Sequence, residues 1–510
     1  MNQRVTPPFA ASIRWQSVNV VAQVVLQLTF ISILARILAP ADFGVMAIAL
    51  VVVGFVEIFA QVGIGPALIQ RLDLEDRHIR SAFSFSLVLG IVFFAAMYFS
   101  APAIGAIFED ALLIDVLRWI ALSFILSGIA IVPRSLLIRS MGFKKLFIAS
   151  LIAMVLGNLC LGLGLAFAGY GIWSYVVALL AQNALLAILY WWQHPVRVNF
   201  TFDPATLKEM LGYGGRSTLF NVSNYAASKV DTLMVGHLSH TGSNTSGWTE
   251  TGLYDRSAYL LGLPITILGK LGDSVLFSGL SSLQEDLVAL RRVVQRAAAI
   301  VAWLIFPMSA VLVWFATDVA VLFLGDQYLL AGPVVQILFL GVAMRSLIKL
   351  GDAVVRALDS LVAATFIKLG FLMAIGGTAW YAMNNDFGIL GVAWGVTVAT
   401  AMQFIAMAVL VIHITQWTTP SALRSLKAGS VALLLTAAGC WGIATWSEHL
   451  FSEQNGTTWH LFRVALASAW GLACMLFVAQ KTNTLSIGKP LDWLSGRSGS
   501  HPHATTDPES

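Results

Sequence analysis

Long apolar runs, each of about 18 residues or more, follow one another along almost the whole chain, separated by short polar turns. A helix of that length crosses the hydrocarbon core of a bilayer, so each run predicts one spanning helix. The runs fall at roughly 12–35, 43–66, 81–102, 112–138, 145–168, 172–193, 213–237, 252–280, 293–324, 332–356, 362–383, 388–413, 423–446 and 459–479, fourteen in all, with ends placed to within about four residues. The short alternating segments of a membrane barrel are absent. The first run carries Gln16, Asn19, Gln23 and Gln27 and leads into no extracytoplasmic domain, so it reads as a first membrane helix rather than a cleaved leader. The expected class is an all-α integral membrane protein.

Composition agrees with the pattern. Of 510 residues, 58% are hydrophobic and 11% charged, and the mean hydropathy is +0.81. No water-soluble domain has that balance. Cys160, Cys440 and Cys474 lie inside apolar runs and imply no disulfide framework. The formal charge of +4 becomes informative once it is placed. On one side the loops and helix ends hold Arg4, Arg14, Arg71, Arg77, Arg80, Arg134, Arg139, Lys144, Lys145, Arg197, Lys208, Arg291, Arg292, Arg296, Arg356, Arg424, Lys427, Lys481, Lys489 and Arg497. The opposite loops hold only Arg36 and carry the acids of "FEDALLID" and "SEHLFSEQ". The positive-inside rule then puts both termini in the cytoplasm.

The chain also repeats. "LAPADFGVMAIAL" after the first helix matches "TGLYDRSAYLL" after the seventh, each placing a turn and then Gly at a helix entry. "AGYGIWSYVVALLAQNALLAI" matches "NDFGILGVAWGVTVATAMQFI" in the same way. Two copies of a six-helix unit, related by an axis along the membrane normal, are therefore expected to face each other across a cleft. The division expected is a first lobe over 1–200, an amphipathic cytoplasmic link over 201–212, a second lobe over 213–414, an added helix pair over 415–481 and a disordered tail over 482–510. In the link, Asp203 caps a helix that starts at Pro204.

Polar atoms inside the apolar runs mark the cleft. Gln16, Asn19, Gln23 and Gln27 lie at helical spacing, and so do Ser217, Asn221, Asn224, Ser228 and Asp231 on the seventh helix, flanked by Arg216 and Lys229. Such stripes also serve as hydrogen-bond glue between helices, worth about 0.6 kcal/mol per contact. The segment "RSLIKLGDAVVRALDS" carries a stronger signal. Arg345, Lys349 and Asp352 stack on one face, and exposing all three to lipid would cost about 8 to 10 kcal/mol on the insertion scale. They are expected to face water or partner charges. Registering Arg139 on Arg356 puts Gly128, Val132 and Ser135 opposite them in the first copy, so the six-helix unit forms without these charges. Arg256, Lys270, Asp273 and Lys368 add to the same half, while the first half offers Glu57 with Gln61. A basic, wet cleft suits an anionic headgroup, with Arg favouring phosphate oxygens. The competing reading makes Lys349–Asp352 and Lys270–Asp273 internal ion pairs.

No GxxxxGK[ST] loop, HExxH or paired-cysteine spacing occurs, so neither an ATPase, a metal centre nor a cofactor is expected, and no nucleic-acid partner. His501 and His503 belong to a solvated tail. These absences favour a carrier over an enzyme, driven by an ion gradient or the membrane potential.

Two blocks carry a resemblance. "LARILAPADFGVMAIALVVVGFVEIFAQVGIGPALIQR" (34–71) and "KVDTLMVGHL" with "TGLYDRSAYLLGLPITIL" (229–268) resemble bacterial polysaccharide exporters of the multidrug/oligosaccharidyl-lipid/polysaccharide superfamily, over about residues 12–480. The resemblance implies two six-helix lobes around a central cavity in the bacterial inner membrane. It also implies a flippase for undecaprenyl-pyrophosphate-linked oligosaccharides, serving O-antigen, capsule or exopolysaccharide assembly, with membrane lipids and a polysaccharide polymerase or co-polymerase as partners. By position it assigns the pyrophosphate to Arg345 and Lys349, then Arg216, Lys229 and Arg256. The glycan falls to Gln16, Asn19, Gln23, Gln27, Asn221, Asn224 and Ser228, and a coupling ion to Asp231, Glu57 or Asp352. Two alternatives stay open: an ion-coupled drug or metabolite exporter of the same fold, which would favour an acidic cavity, and a non-transporting subunit of a polysaccharide synthase.

Overall fold

The computed structural model describes residues 9–60, 64–71, 73–195, 215–239, 247–281, 286–450 and 456–482, and among them every regular element is a helix. The first half holds α1 (Phe9–Ile37), α2 (Pro40–Ala60), α3 (Ile64–Gln70), α4 (Asp76–Ile107), α5 (Ala111–Ile120), α6 (Leu122–Arg139), α7 (Phe143–Ala153), a π-helical stretch (Met154–Gly162), α8 (Leu163–Phe167) and α9 (Ile172–Gln193). The second half holds α10 (Gly215–Leu238), α11 (Gly247–Ser281), α12 (Leu287–Trp314), α13 (Ala316–Leu324), a 3-10 turn (Asp326–Ala331), α14 (Gly332–Phe339), α15 (Val342–Ala357), α16 (Leu361–Asn384) and α17 (Gly388–Ile414), followed by α18 (Thr419–Leu450) and α19 (Thr457–Thr482). The sequence-expected segments 201–212 and 483–510 lie outside the described residues.

Among the described residues, eleven spans are long and apolar enough to cross a membrane, or twelve when the pair bent by 50° between Phe339 and Val342 counts as one. The expected fourteen includes α10 and α11, which are not in that set. Those two helices put Lys229, Asp231, Asp255 and Arg256 into the wall of a cavity rather than against lipid.

The duplication is written in the backbone. Positive-φ residues stand in the turns between helices at Glu109, Met141, Gly169 and Gly171 in the first half, and at Gly325, Asp359, Asp386 and Gly388 in the second, each pair 216 to 218 residues apart. The span α5–α6 breaks at Ala121 and its counterpart α14–α15 at Leu340–Gly341. Two independent stretches of sequence rarely share three such turns, because a non-Gly residue with positive φ is itself uncommon. The Met141–Asp359 match moves the register by one residue from the basic pair Arg139 and Arg356. Ser127, Ile131 and Arg134, not Gly128, Val132 and Ser135, therefore stand opposite Arg345, Lys349 and Asp352. Gly128 packs its backbone on Ser86, whose hydroxyl donates to the Gly128 carbonyl at 2.9 Å.

Arg139 has a structural task. Its Nη1 donates to the carbonyls of Leu68, Ile69 and Arg71, and so terminates α3. The last helix pair is fastened by a buried carboxylate. Asp318 of α13, 4% exposed, meets His460 Nδ1 at 2.6 Å and Arg463 Nη1 at 3.3 Å, both on α19.

Candidate functional site

A cavity of about 1320 Å³ lies between the two six-helix halves. That exceeds the few hundred to roughly 1,000 Å³ of a drug-sized pocket. Its wall comes from α1 (Asn19, Gln23, Gln27), α10 (Asn224, Ser228, Lys229, Asp231), α11 (Asp255, Arg256, Tyr259), α15 (Arg345, Lys349, Asp352) and α16 (Lys368), with Arg134 of α6, Gln182 of α9 and Gln403 of α17. The spacing of three and four residues within each helix turns these side chains to one face.

One end is sealed where the halves meet. On the α1–α2 turn, Gln327 Nε2 donates to the carbonyls of Ala35 and Leu38, and Arg36 Nη2 donates to the Leu322 carbonyl at 2.6 Å. By the same logic in the other half, Trp248 Nε1 at the start of α11 donates to Asp110 Oδ2 at 2.6 Å, while Asp110 Oδ1 caps α5 through Leu113 N. His237 Nδ1 sits 3.2 Å from the Ile107 carbonyl. Between these latches α2 and α11 touch backbone to backbone: Gly44 faces the Trp248 carbonyl and Gly252 faces the Pro40 carbonyl. The exchange is reciprocal, as an axis relating the halves requires. At the opposite end the cavity extends past Arg134, Ile138, Phe143 and Tyr190.

The wall is basic. Six cations (Arg134, Lys229, Arg256, Arg345, Lys349 and Lys368) face three carboxylates, Asp231, Asp255 and Asp352. Two carboxylates are consumed by ion pairs. Asp352 takes Lys368 at 3.1 Å, with side chains 7% and 3% exposed, and Asp255 takes its own neighbour Arg256 through Nε at 3.0 Å and through Nη2. Asp231 accepts from Tyr254 Oη at 2.9 Å and from Thr232 N at 2.8 Å, with Arg345 in electrostatic reach. Arg134, Lys229, Arg345 and Lys349 form no ion pair among the described residues. Arg345 makes one long hydrogen bond, 3.4 Å to Thr400 Oγ1.

Not every predicted residue arrives here. Arg345, Lys349, Lys229, Arg256, Asn19, Gln23, Gln27, Asn224, Ser228, Asp231 and Asp352 line the cavity. The side chains of Gln16, Arg216, Lys270 and Asp273 lie outside the described residues. Glu57 is not on the wall; it stands near Tyr225, whose hydroxyl bridges to the Val51 carbonyl at 3.0 Å. Asn221 is exposed and also off the wall. The Lys349–Asp352 pair of the competing reading is replaced by Lys368–Asp352, because Asp352 turns toward α16 rather than along its own helix. Asp255 escaped the sequence reading although it adjoins Arg256. An acid and a base side by side in an apolar run was the available signal. Arg134 was counted as a loop charge, since it sits near a helix end.

The buried Lys368–Asp352 pair yields a stability prediction. Removing one member leaves the other as an uncompensated buried charge, a loss of about 3 to 5 kcal/mol, whereas removing both leaves none. Lys368→Met lowers the unfolding temperature in detergent, and adding Asp352→Asn restores most of it. A double variant as unstable as the single would show that the pair is not what holds the two helices.

Comparison with known proteins places the chain. The profile of a family described as polysaccharide biosynthesis protein matches residues 33–333. Teichuronic acid biosynthesis protein TuaB of Bacillus subtilis is 22% identical over 486 residues, 94% of this chain and 96% of that protein. Lipopolysaccharide biosynthesis protein WzxC of Escherichia coli is 22% identical over 335 residues, 65% of this chain and 66% of that protein. Among solved structures, the lipid II flippase MurJ in an inward closed conformation superimposes with a TM-score of 0.69 at 14% identity, covering 92% of this chain and 99% of that one.

Proposed function

This chain belongs to the polysaccharide biosynthesis protein family, and on that premise we propose that it is a flippase for undecaprenyl-pyrophosphate-linked oligosaccharide repeat units, serving exopolysaccharide, capsule or O-antigen assembly. The observation that carries the reading is the set of cations that form no ion pair among the described residues, Arg345, Lys349, Lys229 and Arg134, in a large cavity shut at one end. A cation in that position is stabilised by an anion arriving from outside the fold, and a guanidinium beside ammonium groups matches the oxygens of a pyrophosphate diester. A cationic drug would meet repulsion there. Asn19, Gln23, Gln27 and Asn224 present amides to a hydroxyl-rich glycan.

In this reading the protein lies in the bacterial inner membrane with both termini in the cytoplasm. The sealed end formed by Gly44, Gly252, Asp110 and Gln327 faces outward, and the cavity loads from the cytoplasmic leaflet. The lobes over 1–200 and 213–414 rock against each other so that the seal opens as the other end shuts. Asp231 and Asp352 remain candidates for a coupling ion, and a polymerase or co-polymerase receives the unit on the far side.

The test is reconstitution. Vesicles carrying undecaprenyl-pyrophosphate tetrasaccharide in the inner leaflet are assayed for its exposure to an externally added glycosidase. Protein-bearing vesicles expose a fraction that protein-free vesicles retain. Equal exposure with and without protein, at a verified protein content, counts against the flippase reading.

A further inference from the structure

Between the unpaired cations and the sealed end lies a second polar cluster with different chemistry. Arg256, 4% exposed, sits over the Phe43 ring at 4.7 Å and the Tyr259 ring at 5.2 Å. Phe43 in turn contacts Tyr175 at 6.0 Å and Tyr328 at 6.4 Å between ring centroids. These rings lie directly under the latches, since Phe43 precedes Gly44 and Tyr328 follows Gln327. Arg256 Nη1, Tyr259 Oη and Tyr328 Oη are buried without a hydrogen-bond partner among the described residues, and the Tyr175 hydroxyl stands beside the Arg256 guanidinium. Buried donors of this kind are nearly always satisfied, so three in one cluster mark a place where a partner is missing from the protein itself. Arg256, Tyr175 and Tyr259 open on the cavity, while Phe43 and Tyr328, both fully buried, stand behind them.

The charge at this cluster is already balanced. Asp255 takes Nε and Nη2 of Arg256, so what remains is a neutral set of N–H and O–H groups framed by aromatic faces. A phosphate seeks net positive charge. A pyranose ring offers instead a C–H face for stacking and hydroxyls that both donate and accept. We propose that Arg256, Tyr175 and Tyr259, backed by the buried Phe43 ring, form a subsite for a neutral sugar at the end of the glycan farthest from the pyrophosphate. This rests on the flippase reading and departs from the sequence assignment of Arg256 to the pyrophosphate.

Arg256→Ala is a poor probe, because it strands Asp255 in the interior. Tyr259→Phe keeps the ring and removes only the unpaired hydroxyl. Binding to purified full-length protein in nanodiscs is measured for two probes, undecaprenyl pyrophosphate and undecaprenyl pyrophosphate carrying a glucose–galactose tetrasaccharide. The wild type binds the tetrasaccharide form more tightly. Tyr259→Phe weakens that form roughly two- to tenfold, the range expected for one hydrogen bond, and leaves the bare lipid within twofold. A loss that is equal for both probes, no loss for either, or a wild type that does not distinguish the probes overturns the subsite. Arg345→Ala is the separate control: it weakens both probes if the pyrophosphate site is as proposed. Its failure to do so removes the flippase assignment of Arg345 without touching the Tyr259 result.

Discussion

Replacing Arg345 and Lys349 together with alanine is expected to abolish translocation while leaving the protein folded in the membrane. Neither side chain is in an ion pair among the described residues, and Asp231, the carboxylate in electrostatic reach of Arg345, keeps its hydrogen bonds from Tyr254 and Thr232 when Arg345 is removed. What is lost is attraction to the cargo. Hydrogen bonds to a charged group contribute about 1.5 to 3 kcal/mol each, so the pair accounts for at least about 3 kcal/mol, more than a hundredfold in affinity. The measurement is complementation of a deletion strain at matched protein level, reading surface polymer and the leaflet in which the lipid-linked unit accumulates. The double variant strands the unit on the cytoplasmic side as the deletion does. Normal polymer from the variant, with polymer lost on deletion, would leave the protein necessary and the site wrong. The contrast with Lys368 is instructive, because there alanine or methionine damages the fold first.

Gly252→Leu is expected to be as severe by a different route. A Cβ at Gly252 meets the Pro40 carbonyl and the Gly44 backbone, and neither can rotate away as a side chain would. A leucine there forces α2 and α11 apart and removes the sealed state from the cycle. Surface polymer falls to the level of the deletion. In a background without native cysteines, a probe cysteine at Val51 on the cavity wall then reacts with an impermeant maleimide applied outside cells. With glycine at 252 it is protected for the part of the cycle spent in the sealed state. Unchanged labelling together with normal polymer would sink the assignment of Gly44 and Gly252 as the seal. Gly44→Leu should behave the same way, since the contact is reciprocal.

Much of the cavity was legible before any coordinates. Asn19, Gln23 and Gln27, and Asn224, Ser228 and Asp231, were found by spacing alone, because polar side chains repeating every three or four residues in an apolar helix share a face. The same spacing misled at Asn221, one turn too close to the helix start to reach the wall; Glu57, named as an intramembrane charge, sits off the wall because α2 turns Ala47, Leu50 and Val51 to the cavity instead. Periodicity identifies a face of one helix; which neighbour that face meets is a property of the packing.

Charges show the same division. The insertion cost of Arg345, Lys349 and Asp352 announced from sequence that they avoid lipid, but it could not say that Asp352 would be claimed by Lys368, sixteen residues away on another helix. It could not distinguish Arg256, neutralised by its neighbour Asp255, from Arg345, which forms no ion pair among the described residues. Register was off by one residue because Arg139 and Arg356 both end helices for local reasons, one by closing α3 and the other by reaching back to the Asp352 carbonyl. The turn conformations, set by backbone sterics, hold the register more faithfully than a basic residue does.

Hydropathy and period by themselves determined that this chain is a helical membrane protein, that it is duplicated, and which helices carry polar faces. Each of those follows from transfer free energy and helix geometry, which act locally. The sealed end, the pairing of Asp352, the cage around Arg256 and the surplus of unpaired cations were decided only by the tertiary structure. They depend on distances between helices far apart in sequence, and the energies of ion pairs and close backbone contacts change over a few ångströms that no periodicity encodes.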